Sequence, residues 1–130
     1  MMSASKFVIL LIFYLFSTSL IIKQDGKCDL QVLDACIQEI MGKNVGFYVK
    51  FKNNSSKKID AFDYKVKYLD GFNELKGTNE YRWQAGNLIN DLEPGETLKD
   101  GSTNWIKGAN KIKIEITRVH YTDDSVCEAK

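Results

Sequence analysis

The sequence predicts an all-β fold, a sandwich or barrel of about six or seven short strands. Three observations carry this. Apolar and polar residues alternate with period two in 45–52, 59–69 and 111–121. Turn chemistry separates these runs, as NNSSKK, Asp70-Gly71, LEPGE, Gly108 to Asn110 and Asp123-Asp124-Ser125. No segment after residue 22 carries a convincing helical period, and the one proline, Pro94, falls in a turn.

The N-terminal segment comes first. Lys6 precedes an uninterrupted apolar run from Phe7 to Phe16, followed by Ser17, Thr18 and Ser19. A cation, a short apolar stretch and small residues form the layout of a secretory signal, with a cut after Ser19. Read on through Leu20, Ile21 and Ile22 it is short for a membrane span of about 20 residues. The expectation is a cleaved signal over residues 1–22, the alternative an uncleaved anchor. A linker over 23–31 and one domain over 32–130 complete the organisation. Cys28 follows Asp25, Gly26 and Lys27, where a lipobox would need an apolar and a small residue.

One modest core is what this length supports. The chain has 18 basic and 17 acidic residues, so its net charge is +1, and loss of Lys6 would leave it neutral. Such a balance excludes the electrostatic footprint of a nucleic-acid binder. The small cluster of Lys50, Lys52, Lys57 and Lys58 reads as a solvated strand face and loop.

Leu33 to Met41 mixes apolar and polar residues at short period, as a first strand or a single helical turn would. In the next run Phe47, Val49 and Phe51 point one way and Tyr48, Lys50 and Lys52 the other. Phe62, Tyr64, Val66 and Tyr68 repeat the pattern beyond the NNSSKK connection, with Asp63, Lys65 and Lys67 opposite. Glu74 to Ala85 reads as a loop or short edge strand. In Glu93-Pro94-Gly95-Glu96, Pro at the second place and Gly at the third specify a type II turn. Thr97, Asn104 and Trp105 are assigned to the following strand. Ile112, Ile114 and Ile116 then alternate with charged residues, but Val119 and Tyr121 continue the apolar set one residue out of phase. That slip predicts a β-bulge near Thr117 or Arg118, or a pair covered on both faces. Val126-Cys127 forms a short last strand.

Cys28, Cys36 and Cys127 contain no CxxC, so zinc and thioredoxin-type readings lack their spacing. In an exported chain the arithmetic is one bridge and one odd thiol. First and last strands of a sandwich often lie close together, which favours Cys36 with Cys127. The loop of about 90 residues so closed would contribute roughly 4 kcal/mol.

The run KFKNNSSKKIDAFDYKVKYLDG, the LEPGE turn and KIKIEITRVHYTDDSV together resemble bacterial extracytoplasmic immunoglobulin-like domains of the FxLYD-type and related uncharacterised group. Asn53, Asn54 and Ser55 match the first element of that pattern. Tyr68, Leu69 and Asp70 match the second, although Gly71 comes early. Leu92, Pro94, Gly95 and Glu96 match the third. The usual terminal Asp-Gly-x-x-Trp is replaced by Asp123-Asp124-Ser125-Val126-Cys127. The resemblance spans Leu33 to Glu128 and implies an immunoglobulin-like β-sandwich of about seven strands. It implies no catalytic residue.

Chemistry-bearing residues are few. The single histidine, His120, lies in a strand and reads as a strand-surface residue in preference to a base or ligand. There is no G-x-S-x-G, and no nucleophile, base and orienter stand together, so the chain is read as not an enzyme. Asp70 and Glu74, Asp91, Glu93 and Glu96, and Asp123 and Asp124 read as turn chemistry without an EF-hand spacing, and neither metal nor cofactor is expected. Tyr81, Arg82 and Trp83, with Trp105, are the candidate contact residues, since aromatics and Arg are enriched at binding hot spots. The competing reading has Tyr81 and Trp83 filling the core with Arg82 in water. Asn53 and Asn54 head two overlapping glycosylation sequons. The functional expectation is an exported, non-enzymatic module at the cell surface with a binding or structural accessory role. Its partner would be a protein or a surface glycan. The alternative is a small ligand- or carbohydrate-binding domain using loop aromatics. Membrane contact would come only through the N-terminal segment, if it is retained.

Overall fold

The computed structural model describes residues 28–129 and the backbone of Ile21–Ile22. The rest of the expected signal or anchor lies outside the described residues. Among the described residues there are eight strands, β1 (Ile21–Ile22), β2 (Leu30–Ile40), β3 (Lys43–Asn53), β4 (Ile59–Leu69), β5 (Leu75–Gln84), β6 (Thr97–Ser102), β7 (Lys111–Tyr121) and β8 (Val126–Glu128). They build two sheets. In the larger the order is β1-β7-β4-β5, with β8 also on the outer edge of β7; the smaller is β2-β3-β6. All pairings are antiparallel except the short β1, which runs parallel to β7 with Ile21 opposite Ile112. The expected all-β sandwich is therefore the fold, and the described residues contain no helix.

The alternating runs place one face of each strand in the core. Phe47, Val49 and Phe51 of β3 meet Phe62 and Tyr64 of β4, with Phe51 4.7 Å from Phe62 and 5.1 Å from Tyr64 between ring centroids. Ile112, Ile114 and Ile116 of β7 complete the centre. Burying such side chains contributes about 1.5–3 kcal/mol each. Tyr64 is buried but donates a hydrogen bond to Asp100 Oδ2 at 2.7 Å, so its hydroxyl is satisfied where β4 faces β6.

Register fixes the two ends of the sandwich. One end carries the β2–β3 hairpin at Met41–Gly42, the β4–β5 turn at 70–74 and the loop 103–110. The other carries 54–58, 85–96 and 122–125. Glu96 N donates to Glu93 O at 3.0 Å, and Gly95 has φ 82, so the LEPGE segment is the type II turn its sequence specifies. Asn53, fully buried, ties this end together. Its amide donates to Lys57 O (2.8 Å) and Leu92 O (3.0 Å), and its Oδ1 accepts from Ser55 N and Oγ.

Three expectations need correction. The bridge joins Cys28 to Cys127, with Cα atoms 5.6 Å apart, and Cys36 is free. Cys36 lies six residues down β2 from Leu30, about 20 Å along an extended chain, whereas Cys28 sits at the strand's start beside β8. The folded domain accordingly begins before residue 32: Leu30 is fully buried and Cys28 O accepts a 2.5 Å hydrogen bond from Tyr121. Finally, β6 stops at Ser102, leaving Asn104 and Trp105 in the next loop, where Trp105 Nε1 donates to Ala109 O.

Candidate functional site

Two irregularities in the larger sheet meet on its outer face. Asp63 pairs with Arg118 and Tyr64 with Ile116, so Thr117 is the extra residue of a bulge in β7. This is where the apolar phase slips. Upstream, residues 112, 114 and 116 face inward; downstream, Val119 and Tyr121 do, and Arg118 and His120 are turned outward. A bulge re-aims side chains in this way. Thr117 Oγ1 donates to Asp63 O at 3.2 Å. A second register shift, between Ile59 and Ala61, leaves Asp60 as the extra residue of β4 opposite the β7 segment that carries His120.

The consequence is a polar ladder across four strands. On one rung Gln84, Ala61, His120 and Val126 lie side by side; on the next stand Arg82, Asp63, Arg118 and Glu128. His120 Nδ1 lies 2.5 Å from Asp60 Oδ1, and Nε2 lies 3.5 Å from Asp124 Oδ1. The hydrogen bond to Asp60 holds the imidazole pKa above its ordinary value. Arg82 Nε donates to Asp63 Oδ1 at 2.6 Å and Arg118 Nη2 donates to Asp63 Oδ2 at 2.9 Å. These charge-assisted bonds hold the Asp63 carboxyl below the usual carboxylate range, Arg82 being the largest cause. One carboxylate thus orients two guanidiniums, each with donors left over for another group.

The loop after β5 rises beside this ladder and closes a groove of about 660 Å³. Ala61 forms its small floor, Ile89 and Val126 supply exposed apolar walls, and Asn90 and Asp91 its rim. The loop is anchored by Ala85 N donating to Asp60 O at 2.8 Å and by Gly86 bonding Ile89. The two side-chain partners of His120, Asp60 and Asp124, are both carboxylates, which favour the charged imidazole. Among the described residues no three His, Cys, Asp or Glu side chains converge as a metal site.

No protein-family model matches the chain, and no curated protein matches it. A solved structure does: a hypothetical protein from Peptoclostridium difficile 630, 12% identical, with a TM-score of 0.61 over 81% of this chain and 88% of that one. At that identity the likeness shows the shared fold and nothing of activity.

The four candidate contact residues do not form one exposed patch. Trp83 is buried and stacks on Phe62 at 5.3 Å. Tyr81 stacks on Tyr64 at 5.6 Å, and its hydroxyl lies 3.2 Å from that of Tyr68. Trp105 packs edge-on against Tyr68, near the opposite end of the sandwich. Arg82 alone of the four lines the groove. Asp60, Asp63 and Arg118 were not singled out as functional in the sequence. The signal that pointed to them was the phase slip after Ile116. Of the two sequon asparagines, Asn54 is exposed while Asn53 is buried and fully bonded.

Proposed function

We propose that the protein is an exported, non-enzymatic immunoglobulin-like module that binds a protein partner through the groove on the outer face of its larger sheet. The observation that carries this is the Arg82–Asp63–Arg118 ladder beside Asp60–His120, flanked by exposed Ile89 and Val126. Oriented guanidiniums next to apolar side chains form the composition of a protein contact surface. A glycan site would want an aromatic platform, and the aromatics nearest the groove, Phe62 and Trp83, are buried in the core. The resemblance to extracytoplasmic FxLYD-type domains supports the reading, as does the Cys28–Cys127 bridge, since disulfides persist outside the reducing cytosol.

The test is site-specific photo-crosslinking on intact cells of the native host. A crosslinker at Gln84 or Asn90 is expected to give one discrete protein adduct. A crosslinker at Lys50, exposed on the smaller sheet, should not give it. The adduct should weaken with Ala61→Arg, which fills the groove floor. The same adduct from all three positions, or none from Gln84 and Asn90, refutes the assignment. Tryptophan emission is expected to stay unchanged across a panel of glycans; a change would favour the carbohydrate reading. Intact mass with and without reductant tests export, expected as loss of the residues up to Ser19 and one disulfide.

A further inference from the structure

Three of the four sheet edges are covered or blunted, and the fourth is not. β7 carries β1 and β8 along its outer side. β2 shifts register against β3 twice, between Val32 and Asp34 and between Gln38 and Glu39, and β6 runs for only 6 residues. Bulges and short strands are devices that keep an edge from pairing. β5 has neither. It is 10 residues long, holds no proline, and pairs with β4 from Gly77 to Gln84 without a shift. Its other side takes no strand among the described residues.

The ladder fixes which backbone groups that side presents. Ala85 N donates to Asp60 O at 2.8 Å, and Gln84 stands opposite Ala61, so Ala85 is bonded toward β4. In an antiparallel pair such residues alternate with residues whose N–H and C=O point away. Thr78, Glu80, Arg82 and Gln84 therefore offer theirs to the free edge. All four are exposed, and they share the outer face of the sheet. Glu80 has no ion pair among the described residues. Arg82 bonds Asp63 through Nε and Nη2, which leaves its Nη1 donors unused.

We infer that a second copy of this chain adds antiparallel along β5, with the two-fold axis at Tyr81, and joins the two larger sheets into one. In that register Glu80 stands opposite Arg82 of the copy twice, and Thr78 opposite Gln84 twice, so the edge is complementary to itself as a two-fold interface requires. Other registers are poorer. Centred on Glu80, the strand sets Glu80 against itself; centred on Asn79, it sets Lys76 against Arg82. Centred on Thr78, the partner of Arg82 is Glu74, which lies outside the strand in the turn bonded to Asp70. Backbone pairing along an open edge supplies the remaining bonds. On the inner side Tyr81 meets Tyr81 of the copy, where the face of β5 is half covered. The inference is independent of the groove's partner, and a self-adduct is told from a partner adduct by a mass of twice the chain.

The purified full chain with Cys36→Ser carries a nitroxide at Thr78→Cys or at Lys76→Cys, and pulsed electron paramagnetic resonance reads the distance between copies. Residue 78 stands opposite 84 of the copy and residue 76 opposite 86, so backbone separations of about 20 Å and about 33 Å are expected. Circular dichroism checks that each variant is folded. Glu80→Arg puts two arginines opposite each other twice and is expected to weaken self-association roughly tenfold. An equal mixture of Glu80→Arg and Arg82→Glu chains restores both opposite-charge pairs and should restore the distances. Absence of any distance between copies overturns the inference. A separation of about 13 Å at position 76 means the register centred on Thr78, and also overturns it. Distances that Glu80→Arg leaves unchanged mean copies held together elsewhere, and overturn it as well. The purified chain meets no groove partner, so failure here and failure of the groove reading are separate results.

Discussion

Removing the Cys28–Cys127 bridge is expected to cost this domain a large share of its stability. The two residues are 99 apart in sequence, so the cross-link closes nearly the whole described domain. In the chain-entropy account a loop of about 100 residues lowers unfolded-state freedom by about 4.7 kcal/mol at 25 °C. Total stabilities of single domains run to about 5–15 kcal/mol. The bridge also ties the start of β2, in the smaller sheet, to β8, in the larger, beside the Tyr121–Cys28 hydrogen bond. The assay is urea unfolding followed through Trp83, which is buried against Phe62 and reports core opening. Cys28→Ser with Cys127→Ser is expected to lower the midpoint by about 2–4 M. Cys36→Ser should change stability by less than about 1 kcal/mol, since Cys36 is partly exposed and its contacts, a 3.7 Å approach to Asp34 and a hydrogen bond with the Tyr48 hydroxyl, are ones a serine can also make. A double variant within about 1 kcal/mol of the parent would refute the reasoning, and so would a large loss from Cys36→Ser.

Asn53→Ala strips two donated and two accepted hydrogen bonds from a buried amide, leaving Leu92 O without a donor it has now, and should cost about 2–4 kcal/mol by urea titration, against about 0.5 for exposed Asn54→Ala. Gly101→Ala would set a Cβ 2.4 Å from Phe47 O, a backbone atom that cannot yield without moving β3 from β6; a drop of more than about 2 kcal/mol is expected, whereas Gly77→Ala meets only the flexible end of Ile106 and should be milder. The pKa of His120 is raised by its bond to Asp60, so its stabilisation is complete below the unfolded value of about 6.5 and fades as pH rises through the higher folded value. Proton NMR of the sole imidazole should read a pKa above about 6.5 that falls back with Asp60→Asn, and a value unmoved by that change would refute the pairing.

The strands legible in the sequence were those with a clean inner face. β3, β4 and β7 alternate without interruption over their central residues, and the one interruption in β7, after Ile116, was itself legible as a bulge. β2 was ambiguous because its register shifts twice, between Val32 and Asp34 and between Gln38 and Glu39, which breaks the period. β5 was left between loop and short edge strand because its inward positions are Gly77, Asn79, Tyr81 and Trp83; two of the four are not apolar, as suits an edge strand whose inner face is only half covered. Asn79 lies inward because it donates to the hydroxyls of Tyr68 and Tyr81, a tertiary reason no local pattern carries. The bridge was misassigned for a similar cause. Which cysteine meets Cys127 depends on where β2 begins, and Leu30 is buried only because the domain starts before the alternating runs do.

The bulge at Thr117 does more than shape a strand. Were β7 to keep the phase of Ile112, Ile114 and Ile116, Arg118 and His120 would face the core, two groups that cannot be buried there without partners. The extra residue turns both outward onto Asp63 and Asp60 and leaves Val119 and Tyr121 to close the core. Thr117→deletion should therefore destroy the fold, while Arg118→Ala should leave it folded and alter the groove alone. The same strand sets the groove's position along the domain. His120 is nine residues from Lys111, about 30 Å along β7.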